Sequence, residues 1–202
     1  MWRRCPSHPC FYGNADGFGV SLQEGFVVMV SFRKRKQADS DGIHLLASIL
    51  VCFSEITTIS YESEDESLKI TFTLQKSMTQ QGFDELAQFL AESIRTYHAL
   101  EGFFGSRVEF SMEAHGKLSF LHMTRDIDTI SRGELSLVAA VMKDRFGEEL
   151  LVDGHGYGAM DPDFAAAQEE TLDRMLGNIR GISLSGRLVG VREGDHVVVF
   201  DR

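Results

Sequence analysis

Proline is scarce, three residues in 202, so no proline-rich spacer divides the chain. Cysteine is scarce too. Three cysteines are an odd number, and too few for a disulfide framework at this length, which points to a reducing, cytoplasmic compartment. Long apolar runs are missing. The longest, Ile43 to Phe53, is broken by His44 and Ser48, and a membrane span needs roughly 20 residues. Met1 to Pro6 carries Arg3 and Arg4 with no apolar stretch behind them, and does not read as a signal peptide. Positive charge is also short. Lys and Arg number 20 against 30 Asp and Glu, for a net charge of −10. A nucleic-acid surface needs clustered Lys and Arg to displace counterions, so none is expected.

What remains is an ordinary globular composition, 43% hydrophobic with 15 Phe, enough to fill a sizeable core. The length suits one domain with an extension. The most regular stretch is its middle. Residues 57–62 alternate, 63–67 turn, and Leu68 to Gln75 alternates again, which predicts a hairpin with one apolar face. Before it, Gly25 to Phe32 is apolar on both faces and reads as a central strand. Between them a helix over 41–53 is apolar nearly all round, and Cys52 on it reads as a small core residue.

After the hairpin, Thr79 caps a helix to about Leu100. Phe83, Leu86, Ala87, Leu90, Ile94 and Tyr97 form its stripe. Residues 107–113 and 117–124 then make two more strands around the turn Ala114-His115-Gly116. The fold class read from this order is α+β. Residues 25–124 are expected to form a ferredoxin-like βαββαβ core, strand order 4-1-3-2, with an added fifth antiparallel strand. Residues 1–24 are expected to be a mobile N-terminal extension. Residues 125–202 are expected to add two helices and a C-terminal β-hairpin packed on the core. The first of these helices opens on the capping box Ser131-Arg132-Gly133-Glu134, the second on Asp161-Pro162. The hairpin joins 187–191 to 196–200.

Chemistry is thinly signposted. Arg33, Lys34, Arg35 and Lys36 are four consecutive positive charges before a helix start, an anion-binding candidate. Cys5, His8 and Cys10 are a weak zinc triplet, since a structural site wants four ligands. The Gly-rich loop 153–158 alternates glycine with Asp153, His155 and Tyr157, yet matches neither the dinucleotide nor the P-loop spacing. Asp126 and Asp128 lie two apart on an extended chain, which points them to opposite sides. His98, His115, His122, His155 and His196 are scattered, with no His-Glu-x-x-His pair. On the sheet face opposite the helices, Val27, Met29 and Ser31 beside Lys69, Thr71 and Thr73 offer no aromatic platform for RNA bases.

The leading expectation is therefore a cytoplasmic protein-interaction or regulatory module without catalytic activity, cofactor or metal. Its partner would be another protein or a second copy, with neither nucleic acid nor membrane involved. The alternative is a small hydrolase or transferase, with or without metal assistance, in which Asp153 orients and His155 acts as general base.

Overall fold

The computed structural model describes residues 12–13, 18–23, 26–31, 40–102, 106–152, 162–182, 184, 186–193 and 196–201, and only the backbone before residue 41. The chain is α+β, with a six-stranded antiparallel sheet and four α-helices among these residues. Its elements are β1 (Tyr12–Gly13), β2 (Phe18–Gln23), β3 (Phe26–Ser31), α1 (Ser40–Cys52), β4 (Thr58–Glu62), β5 (Ser67–Leu74), α2 (Gln80–Glu101), β6 (Val108–His115), β7 (Leu118–Asp126), α3 (Arg132–Phe146), α4 (Pro162–Gly177), β8 (Arg187–Glu193) and β9 (His196–Asp201).

Local signals translate directly into elements. Thr79 accepts the Gly82 N–H and starts α2, and Ser131 accepts the Glu134 N–H and starts α3. Gly102 ends α2 with φ 76°, a left-handed conformation that glycine adopts without a Cβ penalty. Phe83, Leu86, Leu90 and Ile94 bury the apolar side of α2. Each such side chain contributes on the order of 2 kcal/mol of gross transfer energy.

The sheet order is β6-β7-β5-β4-β8-β9. This is not the ferredoxin-like 4-1-3-2 arrangement. The place that arrangement gives to the strand at 26–31 is taken by β7, which pairs with β5 through Ile70↔Met123 and Phe72↔Leu121. Two sequence-local hairpins, β4–β5 and β6–β7, join side by side here, and no crossover from β3 enters between them. The strand β3 pairs with β2 instead, in a sheet ordered β1-β2-β3 that lies alongside β9. Residues 18–23, assigned from the sequence to the extension, thus include a strand.

The C-terminal hairpin β8–β9 joins the sheet through β4, pairing Ile59 with Gly190 and Tyr61 with Leu188. One face of the sheet carries Ile59, Tyr61, Leu68, Ile70, Phe72, Leu74, Leu121, Met123, Leu188, Val197 and Val199, all buried. The helices pack on this side. Gly190 marks how close α1 comes: a Cβ there would lie 2.9 Å from Leu50 Cδ1 and 3.2 Å from Ile59 Cγ2. Arg192 ties the hairpin to the end of α1 by donating to the carbonyls of Leu50 and Phe53, which offsets the negative end of that helix. Cys52 is partly buried and packs on the core.

Candidate functional site

The sites singled out in the sequence lie outside the described residues: Cys5, His8 and Cys10, the run Arg33–Lys36, and Asp153 with His155. Asp126 and Asp128 are described and do not converge. Asp126 faces Arg125 and Thr129, while Asp128 is exposed, 3.7 Å from Arg180.

The chemistry-bearing residues that do come together sit where β7 ends and α2 and α3 meet. Arg125 is on the core face of β7, opposite Leu68 and Val108, and is fully buried. Glu134, in the first turn of α3, is fully buried as well. Arg125 Nε donates to Glu134 Oε1 at 2.5 Å and Nη2 donates to Oε2 at 3.1 Å. Nη1 donates to the Arg107 carbonyl and to Asp126 Oδ1, and Nη2 to Thr129 Oγ1. A guanidinium has five N–H groups, so every donor of Arg125 has an acceptor. That completeness makes the burial tolerable, because an unpaired charge in the interior is the costly case.

The second oxygen of Glu134 continues the chain outward. His98 Nε2 lies 2.7 Å from Glu134 Oε2, and its Nδ1 lies 2.8 Å from Ser106 Oγ. The order Ser106–His98–Glu134–Arg125 runs from half-buried to fully buried. His98 belongs to the last turn of α2, and Gly102 reverses the chain just beyond it. Tyr97 Oη meets Ser131 Oγ at 3.2 Å beside the same junction. Glu134 therefore forms only half of the capping box expected of it. Its backbone N–H bonds Ser131, but its carboxylate serves Arg125 and His98.

Asp126 closes the network on the solvent side. Burial pushes its carboxyl up, but the Thr129 hydroxyl, the Arg125 charge and the Arg107 N–H outweigh burial and hold it below the ordinary carboxylate value.

A second cluster lies on the opposite face of the sheet. His122 is buried, with Nδ1 3.0 Å from Thr71 Oγ1. Its Nε2 has no hydrogen-bond partner among the described residues and lies 3.5 Å from Glu113 Oε1. Lys69 Nζ approaches the same Glu113 at 3.9 Å. Burial lowers the His122 pKa, Lys69 lowers it further, and Glu113 opposes both. Among the described residues, no group of three His, Cys, Asp or Glu side chains could hold a metal ion.

No protein-family model matches the chain, and no curated protein or solved structure matches it.

A third feature is apolar. Between α2 and α3 runs a groove of about 520 Å³ lined by Phe89, Leu137, Ala140, Val141, Asp144 and Arg145. Phe89 is 49% exposed, a large aromatic side chain left half in water. Glu85 and Glu92 flank it on the same side of α2, both exposed. Among the described residues, no helix is long and apolar enough to cross a membrane.

Neither the network nor the groove was singled out in the sequence. One signal pointed to His98: it continues the stripe Phe83, Leu86, Leu90, Ile94 at the next four-residue step, and it is buried with them, whereas Tyr97 is only partly buried. Arg125 and Ser106 carried no comparable mark.

Proposed function

We propose that the protein is a protein-interaction or regulatory module of the cytoplasm. Its working surface is the groove between α2 and α3, and its occupant is an amphipathic helix of a partner protein, apolar on one side with basic flanks. The half-exposed Phe89 carries this reading. A helix lying in a groove reads its partner through apolar anchors, and a desolvated aromatic is the usual centre of such a contact. The charge of the occupant follows from the surroundings. Glu85 and Glu92 border Phe89, Asp144 and Arg145 offset one another on the other wall, and the whole chain carries −10. A second copy in the groove would set acidic flank against acidic flank, which disfavours the homodimer there. The same charge disfavours nucleic acid. No membrane role is proposed.

The test is a paired capture from cytosolic extract with the wild-type chain and with Phe89→Asp, read by mass spectrometry, beside the molar mass of each. The reading expects at least one protein held by the wild type, lost with Phe89→Asp, and released by raised salt. Identical sets from both chains, or a dimer broken by Phe89→Asp, would sink it.

A further inference from the structure

We propose that Ser106 is a nucleophile with His98 as its general base, forming an acyl-transfer centre for small esters or thioesters. The inference goes beyond the docking groove and does not depend on it. It also sets aside, at this one place, the expectation of a module without catalytic activity.

The two separations that such a centre requires are both met, with Ser106 Oγ 2.8 Å from His98 Nδ1 and His98 Nε2 2.7 Å from Glu134 Oε2. Nucleophile, base and orienting acid recur at hydrogen-bond reach on unrelated folds, and are recognised by geometry and role. The tautomer follows from the partners. Glu134 already accepts two N–H bonds from Arg125, so it is an acceptor toward His98 as well. The ring proton therefore sits on Nε2. With that proton on Nε2, the lone pair lies on Nδ1, and the Ser106 hydroxyl donates to it. That is the protonation state from which a hydroxyl can be relieved of its proton during attack.

The ring is turned about relative to the commoner arrangement, in which Nε2 faces the nucleophile. The roles are unaffected, because either nitrogen can take the proton once the other is fixed. Burial is also graded in the right sense. Glu134 is fully buried, His98 nearly so, and Ser106 is the half-buried end of the chain of contacts.

The step balances without a cofactor. Ser106 Oγ attacks the carbonyl carbon, and its proton passes to His98 Nδ1. The Nε2–H stays on Glu134, which stabilises the imidazolium that forms. Collapse of the tetrahedral adduct breaks the bond to the alkoxide or thiolate, which leaves with the Nδ1 proton. Water then repeats the sequence on the acyl-Ser106 ester, releasing the carboxylic acid and restoring the hydroxyl. Glu134 is a positioning residue, acting through His98.

The experiment treats the full-length protein with a fluorophosphonate probe, maps the adduct by peptide mass spectrometry, and follows p-nitrophenyl acetate hydrolysis. The wild type is expected to give one dominant adduct, on Ser106. Ser106→Ala should abolish it, and His98→Gln should slow it at least tenfold. Glu134→Gln should lower kcat with KM unchanged, a split that general loosening does not produce. The wild-type adduct decides the matter however the variants fold. If Ser106 reacts no faster than the exposed Ser77 and Ser111, the proposal is overturned.

Discussion

Arg125 and His122 show two ways for a charged residue type to be buried in one sheet. Arg125 is tolerated in the interior because each of its donors is met by an acceptor within the protein. His122 is lowered in pKa by its burial first and by Lys69 second, with Glu113 at 3.5 Å opposing both. These choices separate in pH. For His122 the unfolded chain binds a proton first as pH falls, so its contribution is fully present above about 6.5 and is lost on acidification toward the depressed folded value. Asp126, also depressed, contributes above about 3.8 and loses that contribution only below it. The thermal midpoint should therefore begin to fall between pH 7 and 5, before any loss due to Asp126. His122→Gln should flatten that first limb and leave the second in place. An unchanged first limb in the variant would show that burial of His122 is not its cause.

At the scale of elements, what was legible in the sequence was what is local. The caps Thr79 and Ser131, the stripe of α2 and the alternation of β4 and β5 each depend on neighbours a few residues away, and these elements form where expected. The order of strands was not legible, because β3 and β7 are both apolar enough for the place beside β5 and only pairing decides between them. The turn at Gly116 delivers β7 already hydrogen-bonded to β6, so one short loop closure brings in two strands. The network was hidden for a similar reason. Glu134 satisfied a cap pattern, and that pattern gave no cause to look for Arg125 nine residues earlier. Packing between elements can be probed at Gly190, which lets α1 lie against β8. Gly190→Ala puts a methyl group 2.9 Å from Leu50 Cδ1, in a part of the core where Leu50 and Ile59 are fully buried. It should cost about 1–3 kcal/mol in denaturant unfolding. A cost near zero would mean that α1 can shift outward freely.

At the scale of the molecule, the sheet is held together across long stretches of chain. The strand β4 pairs with β5 on one side and with β8 on the other. Truncation after Thr124 removes the end of β7 with α3, α4, β8 and β9, and with them both Arg125 and Glu134. The fragment 1–124, which keeps β2 beside β3, is expected to melt well below the full-length midpoint and over a broader range, as followed by circular dichroism. A fragment that melts cooperatively at the full-length midpoint would show that the C-terminal part is dispensable for stability.

The pairing of β4 with β8 also sets a timetable. During synthesis β4 and β5 leave the ribosome early and can zip at once, but the far edge of β4 has no neighbour until Arg187 and the residues after it have been made. At typical elongation rates that interval is on the order of ten seconds. Through it, Thr58 to Glu62 presents open backbone donors and acceptors to any other nascent strand. Crowded translation is therefore a condition that exposes this chain to misassembly, and slowing elongation between residues 130 and 187 would lengthen the risk.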